Sequence, residues 1–138
     1  MAELSYPFPG VGEVHNYEYL FCADALNGAT DGGKTRPVLV IAADPKTGRV
    51  VVMPISTKGE VDGRRTIAVP VDVGWAAHLP RPKESRIVID EANIFTWTGF
   101  DLRPAPNGDS SKFGRATPGF VKAVRDRFVD STPQVTVR

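Results

Sequence analysis

Lys34-Thr35-Arg36-Pro37-Val38-Leu39-Val40-Ile41 is followed, after the turn Asp44-Pro45-Lys46-Thr47-Gly48, by Arg49-Val50-Val51-Val52-Met53-Pro54-Ile55-Ser56-Thr57. Pro37 to Ala43 is apolar throughout and rich in β-branched residues, the pattern of a central strand covered on both faces. Arg49 to Ile55 returns antiparallel after the turn, so the two segments are predicted to form a hairpin. A cation-bearing loop therefore runs into one strand, and the next strand ends in two hydroxyls. Such a pair can hold an arginine and a hydroxyl rigidly at one edge of a sheet, which is what gripping a phosphate requires.

On the N-terminal side, Pro7, Pro9, Gly10 and Gly12 mark an irregular lead-in. A strand is predicted over Val14 to Cys22, with Tyr17, Tyr19 and Phe21 on one face by two-residue alternation. Asn27 to Gly33 reads as a flexible loop. On the C-terminal side, Ser56 to Arg65 is a polar loop and Thr66 to Val71 a short strand held near an edge by Pro70. Asp72 to Leu79 reads as a helical turn with Trp75 and Leu79 on one side. Arg86 to Asp90 and Asn93 to Trp97 are two short strands or one bent one. Thr98 to Arg115, broken by Gly99, Pro104, Pro106, Gly108 and Gly114, is predicted as a surface loop able to order on a partner.

Thr117 suits an N-cap, Pro118 the first helical position, and Phe120, Val121, Val124 and Phe128 recur at helical spacing, so an amphipathic helix is expected through Asp130. Ser131 to Arg138 is a tail with weak strand character. Five or six short strands and a closing helix predict a mainly β fold, a small SH3-like barrel of antiparallel strands. One domain spans residues 1–138, with its core over about 12–130 and flexible ends.

Composition narrows the function classes. Lys+Arg 17 against Asp+Glu 16 gives a formal charge of +1, so any nucleic-acid binding has to come from local clustering of cations. Lys58, Arg64 and Arg65 form such a cluster beside the hydroxyl-bearing strand end. Cys22 has no second thiol in the chain, which excludes a disulfide framework and cysteine-pair zinc sites. His15 and His78 are far apart in sequence, and no metal or other cofactor is expected. Met1 to Gly12 lacks the basic and apolar regions of a signal peptide, and no apolar run is long enough for a membrane span, so a cytoplasmic protein without membrane contact is expected.

Gly12-Glu13-Val14, Lys34 to Val40, Val52-Met53-Pro54-Ile55-Ser56, Ile89-Asp90-Glu91 and the helix from Thr117 to Asp130 occur in an order that resembles a diverged member of the PemK/MazF toxins of bacterial type II toxin-antitoxin systems. The resemblance covers roughly Gly12 to Asp130. It implies a metal-independent endoribonuclease of the mRNA interferase type, cutting single-stranded RNA by attack of the 2′-hydroxyl. It also implies a homodimer and a cognate antitoxin protein whose extended segment occupies the RNA groove. Arg36 matches the family's active arginine, Ser56 stands where threonine is usual, and Asp90 matches a late acidic position. These three are the catalytic candidates, with Lys34, Thr35, Thr57, Lys58, Arg64 and Arg65 as RNA-binding candidates. Departures from the family pattern fall at Ala29-Thr30-Asp31-Gly32, where Asp31 is the one titratable group, at Val88 in place of a basic residue, and at His15 and Asn16.

Each candidate has a structural alternative. Arg36 could pair with Glu13, Asp31 or Asp90; Ser56 and Thr57 could bond local backbone; Asp90 could be a hydrogen-bonding acid at a strand end. Tyr17, Tyr19 and Phe21 could stack bases, although a strand-face aromatic row is more often core. A non-catalytic module on the same fold, acting by binding an antitoxin or a topoisomerase-type protein, is the alternative function.

Overall fold

The computed structural model of the chain describes residues 6–30, 32, 34–57, 65–99, 101–106, 108 and 110–138. The predicted hairpin is its centre. Strands β1 (Glu13–Tyr17), β2 (Arg36–Asp44) and β3 (Arg49–Ser56) run antiparallel in sequence, with β2 between the other two. The β2–β3 turn closes as expected: Asp44 accepts bonds from the Lys46 amide at 3.0 Å and the Thr47 hydroxyl at 3.1 Å, and Gly48 takes φ +76°, where a side chain would be strained.

Both faces of this hairpin are buried. Leu39, Ile41, Met53 and Ile55 enter one core cluster, and Val38, Val40, Val50 and Val52 enter a second with Tyr17, Tyr19 and Phe95. Each such side chain contributes about 1.5 to 3 kcal/mol relative to exposure. Ile41 is the extra residue of a bulge, since Val40 faces Val52 and Ala42 faces Val51.

The remaining strands are β4 (Thr66–Ala68), β5 (Arg86–Val88), β6 (Glu91–Thr96), β7 (Lys112–Arg115) and β8 (Gln134–Val137). β3 forks the sheet. Its first half pairs with β6 as far as Val52↔Asn93, and its last two residues pair with β5 through Ile55↔Ile87 and Ser56↔Arg86. Pro54, with no N–H to donate, sits at the change of partner, where the missing donor does least harm. The sheet is mainly antiparallel but not a closed barrel: among the described residues β4 pairs only with β5, β7 only with β1, and β8 only with β6, the last in parallel.

Helix α1 (Cys22–Leu26) cuts the first strand short of its expected end at Cys22, and α2 (Val71–Ala76) does the same to the strand expected over Thr66 to Val71. The expected surface loop over Thr98 to Arg115 instead contains β7 and buries Leu102, Ala105, Ser111 and Phe113. Trp75 and Leu79 do not share a side. The helical turn ends at Ala76, His78 takes φ +56°, and Leu79 goes to the core while Trp75 stays 61% exposed. Helix α3 (Pro118–Asp130) forms as predicted and buries Val121 and Val124, although the Thr117 side chain makes no capping bond. No helix among the described residues is long and apolar enough to cross a membrane.

His15, buried on β1, stands between Glu13 and Ser111: Nε2 lies 2.9 Å from Glu13 Oε1 and Nδ1 2.7 Å from Ser111 Oγ. A carboxylate only accepts, so the neutral ring carries its proton on Nε2 and accepts from the serine on Nδ1. Burial pushes the His15 pKa below its ordinary value of 6.5, against the opposing pull of Glu13. Burial would raise Glu13, yet bonds from the Gly10 amide and His15 and the charge of Lys112 leave it lowered from 4.5.

Both groups hold fewer protons folded than unfolded, so both contribute stability that is lost on acidification. The His15 part is expected to be lost as pH falls from 6.5 through the lower value of the folded state, and the Glu13 part in the same way only below 4.5. Urea unfolding across this range checks it: His15→Gln is expected to flatten the upper step and, because His15 helps lower the Glu13 pKa, to shrink the lower step without abolishing it.

Candidate functional site

The β2–β3 register decides where the site candidates meet. Val38 faces Pro54, and each strand continues two residues further to Arg36 and Ser56. Side chains alternate along a strand, so Arg36 lies on the face of Val38 and Val40, and Ser56 on the face of Pro54 and Val52. These are the same face of the sheet. An open cavity of about 260 Å³ lies at these strand ends, and Lys34, Thr35, Arg36, Ser56 and Thr57 contribute to its lining together with Pro37 and Ile55 of the other face.

The Arg36 side chain is held from below by an aromatic ring. Its guanidinium carbon lies 4.7 Å from the centroid of Phe21, which itself meets Tyr19 edge-on at 5.0 Å. Phe21 is set in place by the buried carboxylate of Glu91, which accepts bonds from the Tyr19 hydroxyl at 2.8 Å and the Cys22 amide at 3.0 Å. Burial lowers the Arg36 pKa below its ordinary value, partly offset by the negative charge of Asp24 and by Tyr19. The group remains a cation at neutral pH.

Arg36 forms no ion pair with Glu13 or Asp90 among the described residues, and its Nε is buried without a hydrogen-bond partner. Glu13 is taken up by His15, Lys112 and Arg115. A buried donor with no acceptor costs about 1 to 3 kcal/mol.

The far wall comes from a segment that the sequence reading did not single out. Pro80, Arg81 and Ser85 line the cavity opposite Arg36. Ser85 fixes the turn by donating its hydroxyl to the Arg81 carbonyl at 2.8 Å, and Ser85 O accepts the Val69 amide at 2.9 Å. The one signal available for this wall was the Pro80-Arg81-Pro82-Lys83 run, cations alternating with residues that restrict the backbone.

Other candidates lie elsewhere. Asp90 sits between β5 and β6, where its Oδ2 is 3.4 Å from the Arg65 amide and its carbonyl accepts the Gln134 amide at 3.0 Å; it is not part of the cavity lining. Arg65 is exposed and also outside the lining, its carbonyl accepting the Ile89 amide. Lys58, Arg64 and Asp31 lie outside the described residues. Of the aromatic row, Tyr17 and Tyr19 are core and only Phe21 reaches the site.

The described lining thus combines three cations, Lys34, Arg36 and Arg81, with the hydroxyls of Thr35, Ser56, Thr57 and Ser85, and no carboxylate or imidazole. Guanidinium forks in such a lining can neutralise the charge of a phosphate group, and the Thr35 and Thr57 hydroxyls can donate to its oxygens, whereas the Ser85 hydroxyl is committed to the Arg81 carbonyl. No known family model matches the chain, and a search of curated proteins returns no match.

Phe21→Ala removes the surface that holds the guanidinium. A cation–π contact of this kind contributes about 0.5 to 2 kcal/mol. The variant is expected to bind tripolyphosphate a few-fold to about thirtyfold more weakly than the wild type in calorimetry, while its far-ultraviolet circular dichroism stays unchanged.

Proposed function

We propose that this protein is a toxin-type, metal-independent endoribonuclease of the PemK/MazF kind, which grips a phosphate of single-stranded RNA between Arg36 and the strand-end hydroxyls. The observation that carries this reading is the meeting of Arg36, Ser56 and Thr57 in one open cavity, with a buried guanidinium nitrogen that has no acceptor of its own. The strongly bent, forked sheet is read as an opened relative of the SH3-like barrel. A homodimer and a cognate antitoxin come with the family resemblance, as does the cytoplasm as the place of action.

In the proposed reaction the ribose 2′-hydroxyl gives its proton to water and its oxygen attacks the adjacent phosphorus, the bond to the 5′-oxygen of the next nucleotide breaks, that oxygen takes a proton from water, and the products carry a 2′,3′-cyclic phosphate and a free 5′-hydroxyl. Arg36 binds two non-bridging oxygens and balances the charge that grows on them in the transition state. Ser56 or Thr57 donates to one of the same oxygens and fixes the phosphate's orientation. Asp90 lies outside the described lining, so this reading gives the main effect to charge stabilisation and assigns Asp90 no contact with the reacting atoms in this arrangement.

A second reading is favoured by one feature of the same cavity: its described lining holds no group that titrates near neutrality. On that reading the pocket binds phosphate without cutting, and the protein acts as a binding module for an antitoxin or a topoisomerase-type target.

Incubating the protein with single-stranded RNA in excess chelator separates the two. Cleavage yielding cyclic phosphate termini is expected, with no cleavage where the scissile ribose is replaced by 2′-deoxyribose. Arg36→Ala is expected to lower the rate by a hundredfold or more, about 2.7 to 4 kcal/mol of lost transition-state stabilisation. Intact RNA with the wild type, together with Arg36-dependent binding, would select the second reading.

A further inference from the structure

The Arg36 cavity does not end at Arg81. A second hollow of about 260 Å³ is lined by Trp75, Arg81, Pro82, Lys83 and Glu84, so Arg81 belongs to both. A third, of about 460 Å³, shares Thr57 and Ser85 with the Arg36 cavity and Lys83 and Glu84 with the second, and adds Arg86. The three hollows adjoin the same turn, Pro80 to Arg86, and share these lining residues, a discontinuous trough around it.

The described cations along this trough are Lys34, Arg36, Arg81, Lys83 and Arg86, against the single carboxylate of Glu84. In a chain of net charge +1 this is a strong local excess. The Arg81–Glu84 pair, 3.2 Å apart with side chains 66% and 58% exposed, is a solvent-screened contact that a phosphate can replace at little cost.

Trp75 lines the second of these hollows. Helix α2 turns Val73 and Ala77 into the core, and Gly74 faces Pro82 so closely that a Cβ there would lie 2.8 Å from Pro82 Cβ. Only glycine permits that approach, and it seats α2 directly on the turn. The neighbouring indole is thereby carried over the turn, 61% exposed, beside Arg81 and Lys83. A large exposed aromatic face next to cations in line with a phosphate pocket is the arrangement that binds unstacked nucleobases.

We propose that Trp75 is a base-stacking platform for single-stranded RNA: one base near the phosphate held at Arg36 lies on the indole, and Arg81 and Lys83 hold the backbone between. The proposal rests on the reading of the Arg36 cavity as a phosphate site for RNA, and extends it to the recognition of single strands. A duplex keeps its base faces covered and cannot use the platform.

The test uses the full chain and a short mixed-sequence RNA with 2′-fluoro sugars, which lacks the attacking hydroxyl and is not cut. Trp75→Ala is expected to weaken binding of this strand between about five- and a hundredfold, as for loss of one stacked base. Trp75→Phe is expected to recover most of the loss, and tripolyphosphate, which has no base, to bind Trp75→Ala as it binds the wild type. Trp75 and Trp97 are the only indoles, so in a Trp97→Phe background fluorescence is expected to be quenched by the single strand and not by tripolyphosphate or the corresponding duplex.

Unchanged RNA affinity in Trp75→Ala, an equal loss for tripolyphosphate, or no quenching at saturation would each overturn the platform, while leaving Arg36-dependent cleavage intact. Conversely, Trp75-dependent stacking in a protein that cuts no RNA would remove the nuclease reading and support the platform.

Discussion

The register of β2 against β3 is the constraint on which the rest of the molecule depends. Val38 opposite Pro54 puts Val38, Val40, Val50 and Val52 into one core cluster and Leu39, Ile41, Met53 and Ile55 into the other. A slip of one residue would exchange the two sets and carry Arg36 to the opposite face from Ser56. With about 1.5 to 3 kcal/mol at stake for each buried aliphatic side chain, the packing of the hairpin fixes the site as a by-product. The guanidinium and the hydroxyl meet because hydrophobic residues two and four positions away cannot be accommodated otherwise.

The same logic separates what could be read in the sequence from what could not. β2, β3 and α3 were legible because each carries a periodic apolar pattern and a recognisable end: the Asp44 to Gly48 turn for the hairpin, Thr117-Pro118 for the helix. α1 was missed because five residues are too few to display a helical period, and the alternation through Tyr17, Tyr19 and Phe21 runs straight into it. β7 was hidden in a stretch rich in glycine and proline, with Phe113 as its one fully apolar buried side chain. β8, foreseen only as strand-like character, pairs in parallel with β6, a long-range choice that no local spacing encodes.

At the site, Arg36, Ser56 and Thr57 were legible because they end the two strongest strands. Their supports were not. Phe21 reaches the guanidinium only because Glu91, far along the chain, ties down Tyr19 and the Cys22 amide. Arg81 and Ser85 face Arg36 only because the fork at Pro54 hands the end of β3 to β5. Asp90 was selected through the family resemblance; in the fold β6 begins at the next residue, and the carboxylate lies 3.4 Å from the Arg65 amide. Motif order along the chain therefore picked out residues that share one cavity, Arg36, Ser56 and Thr57, together with Asp90, which stands outside its described lining.

The electrostatics of Arg36 bear on how such a site can work. A half-buried arginine resting on a phenyl ring, with one donor unmet, is less stable than one paired with a carboxylate. A paired arginine, however, would have to give up its partner before binding a phosphate, and the exchange would cancel much of the gain. Phe21 restrains the guanidinium without supplying an anion, so the charge is positioned in advance and remains available. Arg81, in contrast, is held by Glu84 through an exposed contact, and its charge is accessible at small cost because water already screens that pair. The two walls of the cavity thus reach the same condition by opposite means: one by excluding a carboxylate and the other by keeping its carboxylate in solvent.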